Sequence, residues 1–318
     1  MTSPNSPPTR TGFIWLASYP KSGNTWFRAL LTAYEDTQGD VDINRLAARH
    51  AARERLFERY LACDGSLLSI DETFVARRML YLFLADSNTS GAPQKVHDAN
   101  LPLAEGQLLF PPEATAAVVH LVRHPFDVAV SYAYHLGLAP NFDKCIDNMC
   151  DPEFRVDGMV HAQMPQVQSD WSSHTFSWLD MPGVRRVTLR YEDMLADGVG
   201  SLTRALRVMH PEVDPDPERV RRAVDATAFG KLQAQEASSS FKERSAKSEA
   251  FFRSGKAGDW QNHLTPAQCD RLAEALAPAM NRLGYGADGS VGPWAGNASA
   301  RASAEPSASS DPPDHLAS

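Results

Sequence analysis

Residues 13–34, FIWLASYPKSGNTWFRALLTAY, read as strand, turn and helix in immediate succession. Phe13 to Tyr19 are mostly apolar and suit a buried strand, Pro20 and Gly23 punctuate a turn, and from Trp26 to Tyr34 the bulky apolar residues recur on a helical period. A strand that enters a helix through so short a turn presents a cluster of backbone N–H groups at the positive end of the helix dipole. Lys21, Ser22, Asn24 and Thr25 add a charge and short polar side chains, so the segment predicts an anion site. It is not a Walker A loop, which reads G-x-x-x-x-G-K-[ST]. Here the Lys precedes the Gly, the first Gly is missing, and Trp26 stands directly at the helix start.

Two further segments carry charge at places where a phosphate could sit. Residues 117–135, AVVHLVRHPFDVAVSYAYH, predict an apolar strand ending at Arg123, a His-Pro break, and a helix bearing Ser131. Arg offers a fork of charged donors and Ser a neutral one; the alternative is an Arg123–Asp127 ion pair at a helix start with Ser131 as a small buried residue. In residues 251–265, FFRSGKAGDWQNHLT, the glycines permit close backbone approach to an anion and Arg253 supplies counter-charge, unless the stretch is a plain surface loop. From the residues alone, the three segments imply a nucleotide with more than one phosphate.

Between them lie helical patterns over 44–63, 71–85, 217–226 and 266–283, alternating with strands near Phe13, Val118 and Val187. That alternation predicts an α/β protein with a P-loop-like central parallel β-sheet flanked by helices on both faces. At 318 residues and 43% hydrophobic content the chain can bury a substantial core, taken as one domain over 11–286. Residues 1–10 and 287–318 are rich in Ser, Pro, Ala and Thr or Gly and are expected to be disordered. A net charge of −8 argues against a nucleic-acid partner held on a general basic surface. With no apolar run near the N-terminus, a soluble, cytoplasmic protein is expected. Cys63, Cys145, Cys150 and Cys269 form no metal-binding pattern and are expected as free thiols.

Y-P-K-S-G-N-T-W closely resembles the 5′-phosphosulfate loop of the soluble sulfotransferases, usually Y-P-K-S-G-T-T-W, with Asn24 as the departure. Arg123 and Ser131 match the spacing of that family's 3′-phosphate motif, and Arg253, Gly255, Gly258, Asp259 and Trp260 match its R-K-G-x-x-G-D-W loop, in which Ser254 takes the usual Lys position and Lys256 follows two residues later. The motifs occur in the right order from about residue 12 to 284. The resemblance implies 3′-phosphoadenosine 5′-phosphosulfate (PAPS) as co-substrate, with no metal. It places Lys21, Ser22, Gly23, Asn24, Thr25, Trp26, Arg123, Ser131, Arg253, Ser254 and Gly255 in the donor site, with Tyr191, Thr227 and Phe229 also at the nucleotide.

Lys95-Val96-His97 resembles the family's K-[TVS]-H element, whose His is the catalytic base, so His97, Lys21 and Lys95 are the catalytic candidates. A neutral imidazole can accept a hydroxyl proton near neutral pH. His120, His124 and His135 are the rivals. The acceptor is expected to be a small molecule with a hydroxyl or an amine, in a pocket lined from around 80–88 and 135–168, with Phe83, Tyr132, Tyr134 and Phe142 as aromatic candidates. The family's dimer motif keeps only Thr265 and is not expected to act. The competing functions are a P-loop kinase or NTPase, which the strand ending in Arg123 rather than Asp disfavours, and a non-catalytic nucleotide-binding module.

Overall fold

A computed structural model describes residues 12–52, 58–60, 62, 64–85, 92–103, 106–157 and 163–294. Its strands are β1 (Phe13–Ser18), β2 (Arg49–His50), β3 (Pro93–Val96), β4 (Thr115–Val122), β5 (Arg155–Val156), β6 (Gln166–Val167) and β7 (Arg185–Arg190). Five of them form one parallel sheet in the order β2-β3-β1-β4-β7, and β5 pairs antiparallel with β6. The helices are α1 (Asn24–Glu35), α2 (Ile70–Ala85), α3 (Pro125–Leu136), α4 (Asp143–Cys150), α5 (Trp171–Leu179), α6 (Tyr191–Ala196), α7 (Gly198–Met209), α8 (Pro217–Ala226), α9 (Phe229–Ser239) and α10 (Pro266–Arg282).

The middle strand shows why the sheet is covered on both sides. Every residue of β1 is buried, and successive side chains point to opposite faces. Ile14 and Leu16 join Leu30 and Leu31 of α1, Leu202 and Leu206 of α7 and Val220 of α8. Phe13, Trp15 and Ala17 join Phe74 and Tyr81 of α2 and Trp178 of α5. Each such fully buried large side chain contributes about 1.5–3 kcal/mol. The indole N–H of Trp15, the one polar atom on its ring, donates to Thr115 Oγ1 at 2.9 Å. A further cluster, including Phe126, Ile146, Trp171 and Leu272, binds α3, α4, α5 and α10 together.

Two expectations need correction. Over 44–52 the expected helix is replaced by a short 3₁₀ turn, Ile43–Arg45, and then β2, because His50 pairs with Lys95 on the sheet edge and the Ala47 N–H donates to Thr32 Oγ1 at 2.7 Å; tertiary pairing overrides the helix propensity of an Ala- and Arg-rich stretch there, while residues 58–60 are helical and 53–57, 61 and 63 lie outside the described residues. The packed body also runs past 286. Val291 bridges to Tyr285, and the Arg190 guanidinium donates to the Gly292 carbonyl at 2.7 Å, so residues 287–294 belong with the domain. Residues 1–10, 295–318 and Cys63 lie outside the described residues. Cys145, Cys150 and Cys269 are free thiols.

The chain leaves β1 at the sheet centre, visits β2 and β3 on one side and then β4 and β7 on the other. Crossovers therefore diverge at the carboxyl ends of β1 and its neighbours, which opens a crevice there.

Candidate active site

A cavity of about 1760 Å³ occupies that crevice. On its floor the 19–25 turn takes the form the sequence implied. Lys21 (φ 68°) and Gly23 (φ 97°) both adopt left-handed conformations around Ser22, which turns backbone N–H groups toward one concavity at the start of α1. Gly23 is required twice over, since a Cβ there would also stand 2.8 Å from the Tyr191 ring. For Lys21 the left-handed conformation costs about 1–2 kcal/mol, and such strain persists where surrounding structure over-determines it. The Lys21 ammonium lies 3.9 Å from the centroid of the Phe251 ring. Burial, with Lys95 and Arg123 alongside, pushes its pKa down to about 7.

Asn24, the departure from the family loop, spends both amide protons on the scaffold: its Nδ2 donates to the Leu16 carbonyl at 3.0 Å and to Ser18 Oγ at 3.1 Å. Its side chain thus ties the loop to the end of β1, and only its backbone N–H faces an anion's needs. Ser22 Oγ, by contrast, is buried without a partner among the described residues, as is Arg123 Nε. Unpaired buried donors in a concave loop fit an anionic group.

Arg123 follows β4 directly and stacks over the Tyr191 ring at 4.4 Å, while its terminal nitrogen donates to the Lys256 carbonyl at 2.9 Å. Its ion pair with Asp127 is long, 3.8 Å. Asp127 does something else: its carboxylate accepts from the backbone N–H of Gly258 at 2.7 Å and of Trp260 at 3.1 Å, fastening the Gly-rich loop onto the first turn of α3. Arg253, from that loop, pairs with Asp259 and lies 4.3 Å over the Tyr134 ring. Gly255 (φ 64°) packs so closely on Phe229 that a Cβ would come within 2.2 Å of its ring. Ser131, Arg253, Ser254, Gly255, Phe229, Trp26 and Tyr191 all line the cavity with the loop. Trp26 and Tyr191 meet edge to face with centroids 5.6 Å apart, giving aromatic walls suited to a purine.

The β1–β3 register pairs Ala17 with Val96, and His97 follows directly and reaches Ser18. Its Nδ1 is 2.9 Å from the Ser18 carbonyl, which can only accept, so Nδ1 carries the proton and Nε2 keeps its lone pair. Burial pushes the imidazole well below the usual histidine range and keeps it neutral. Lys95 meets Glu243 at 3.1 Å, and the same carboxylate takes Arg28 at 2.8 Å. Burial alone would raise Glu243, but the two cations overcome it and hold it at about 2.

Of the rival histidines, His120 is fully buried within β4, His124 caps α3, and neither lines the cavity; only His135 does. Thr227 is not in the cavity either. Its hydroxyl donates to the Ala223 carbonyl at 2.8 Å, the bond of a residue that ends α8. The side chain of Lys256 is exposed and does not line the cavity. Of the aromatic candidates only Tyr132 lines the cavity; Phe83 is exposed, Tyr134 supports Arg253, and Phe142 is core. Thr265 serves as the cap of α10, in a capping box with Gln268. The sequence reading missed Asp127 as a loop anchor, and it missed Glu243, Arg28 and Phe251; the first stood in a quoted motif, whereas Glu243 gave no local signal because its partner lies 148 residues away.

The sulfotransferase domain model matches residues 12–284. The chain belongs to the sulfotransferase family. Human sulfotransferase 1E1 is 25% identical over 269 residues, covering 79% of this chain and 78% of that protein. Cytosolic sulfotransferase 17 of Arabidopsis thaliana is 25% identical over 293 residues, covering 87% and 76%. Among solved structures, mouse sulfotransferase SULT7A1 complexed with PAP superposes with a TM-score of 0.51 at 19% identity over 85% of each chain. With the family goes its chemistry, sulfuryl transfer from PAPS, and the kinase reading falls. No helix among the described residues is long and apolar enough to cross a membrane.

Proposed function

We propose that this sulfotransferase delivers the sulfuryl group to a hydroxyl, or an amine, of a small-molecule acceptor with His97 as general base, and that it works in the cytoplasm. The observation that carries this is the Nδ1–Ser18 bond, which leaves a bare, neutral Nε2 in the same cavity as Lys21, Lys95 and Arg123. When bound, PAPS supplies the sulfuryl group and leaves as adenosine 3′,5′-bisphosphate (PAP). The loop N–H groups with Ser22, Thr25 and Lys21 would hold its 5′ end. Arg123, Ser131, Arg253 and the Gly255 backbone would hold the 3′-phosphate, with Trp26, Tyr191 and Phe229 around the purine.

His97 takes the acceptor proton at Nε2 as the acceptor oxygen becomes nucleophilic. Lys21 and Lys95 stabilise the charge that grows on the departing side, in a cavity whose one lining acid among the described residues is Glu243, so local positive potential coexists with a net charge of −8. General-base catalysis is worth about 10²–10⁴ in rate. His97→Ala should lose that factor in turnover while PAP affinity, read by calorimetry, stays within about twofold; a variant with the parent rate would remove His97 from this role.

A further inference from the structure

One part of the cavity wall carries three amides, Gln163, Gln166 and Gln168. β6 and its flanks, residues 163–168, run beside the catalytic segment: the Met164 N–H donates to Ala52 O at 2.9 Å, the Ala99 N–H to Val167 O at 2.6 Å, and the Val167 N–H to the Asp98 carboxylate at 3.3 Å. Asp98 adjoins His97 in the chain and forms a fully buried bidentate pair with Arg77, both bonds 2.9 Å. The wall is therefore locked to the base. Gln166 and Gln168, two apart on an extended segment, share a side, and both line the cavity although they are only 3% and 4% exposed.

Each of these amides is half used. Tyr132 Oη donates to Gln168 Oε1 at 3.2 Å, and Gln166 Nε2 donates to Gln163 Oε1 at 3.1 Å. Whichever way an amide is turned, one end is engaged and the other, Gln168 Nε2 and Gln166 Oε1 as placed, has no partner among the described residues. His50, whose ring centroid lies 5.7 Å from that of His97, accepts the Ala52 N–H at Nδ1 and so carries its proton on Nε2. A flat apolar alcohol or phenol bound here would leave a buried donor and a buried acceptor dry, a loss of about 1–3 kcal/mol each. A ligand with several hydroxyls would satisfy both, and Tyr132 and Val156 offer apolar surface to the C–H face of a ring.

We propose, resting on the sulfotransferase reading of this cavity, that the acceptor is polyhydroxylated and carbohydrate-like, selected by Gln166 and Gln168. The test uses the full chain loaded with PAP, probed by saturation-transfer NMR with methyl glycosides and disaccharides beside 2-naphthol and a steroid alcohol, and the same compounds as acceptors with PAPS, products read by mass spectrometry. A glycoside should give saturation transfer and sulfated product, and Gln166→Leu and Gln168→Leu should each lower its kcat/KM by about 30-fold, with PAP affinity unchanged and 2-naphthol turnover raised relative to glycoside turnover because the amide that a phenol leaves unpaired is gone. Preference for 2-naphthol or the steroid over every glycoside, absence of glycoside binding and product, or variants that leave glycoside transfer intact would overturn the assignment while leaving the sulfotransferase reading standing. Failure of PAP itself to bind would instead bring down the donor site, and the acceptor assignment with it.

Discussion

Donor binding should draw a proton onto Lys21. In the free protein the Lys21 ammonium has a pKa of about 7, because burial and the neighbouring Lys95 and Arg123 disfavour its charge. A multiply charged anion on the loop reverses both effects and restores the proton. An exposed lysine is already protonated at these pH values and shows no such uptake, whereas here the free group is mostly neutral above pH 7, so binding takes up protons and affinity falls as pH rises. With a free pKa of 7 and a bound pKa above 9, uptake per PAP is about 0.1 at pH 6, about 0.5 at pH 7 and about 0.9 at pH 8, and Kd rises about fivefold from pH 7 to pH 8. The phosphate's own second ionisation lies near ~6, so the interval from pH 7 to 8.5 isolates the lysine. Calorimetry in buffers of different ionisation enthalpy reads the uptake directly. Lys21→Arg, which stays charged, should abolish it. Uptake below about 0.2 at pH 8, or equal uptake in the Arg variant, would refute this picture of the loop.

Other consequences follow from the supports of the site. Gly255→Ala adds a Cβ 2.2 Å from the Phe229 ring at a left-handed position, so the Gly-rich loop must shift and PAP affinity, by calorimetry, should fall about tenfold or more with the fold retained. Asp127→Ala strands the Gly258 and Trp260 N–H groups; denaturant unfolding should show a loss of about 2–4 kcal/mol, accompanied by weaker PAP binding. Because Glu243 is held at about 2, below its ordinary 4.5, its contribution to stability is full above pH 4.5 and is lost as pH falls through about 2. Glu243→Gln should therefore flatten the acid limb of an unfolding titration between those values, and an unchanged limb would show that the Lys95–Glu243–Arg28 bridge does not hold in solution.

What the sequence disclosed was the chemistry carried by contiguous segments. β1, the loop and α1 were legible because one strand-turn-helix run contains all their determinants, and Arg123, Gly255 and His97, singled out by motif spacing, line one cavity. The failures share a cause, which is long-range pairing. Residues 44–52 have helix-forming composition but yield an edge strand once Lys95 offers its backbone. Glu243 acquires its meaning only when Lys95 and Arg28 arrive from distant elements, and the glutamines of 163–168 look like an ordinary polar loop until Asp98 and Ala52 fasten that segment to the cavity wall.

The most direct test is titration of the purified chain with PAP in the absence of metal, beside ATP with Mg²⁺, repeated with Arg123→Ala. Metal-independent PAP binding at least tenfold tighter than ATP–Mg²⁺, and lost by more than tenfold in the variant, is the predicted result for a charge-assisted Arg–phosphate contact. Equal or tighter binding of ATP–Mg²⁺, or a PAP affinity indifferent to Arg123, would contradict the donor site at the carboxyl ends of β1 and β4.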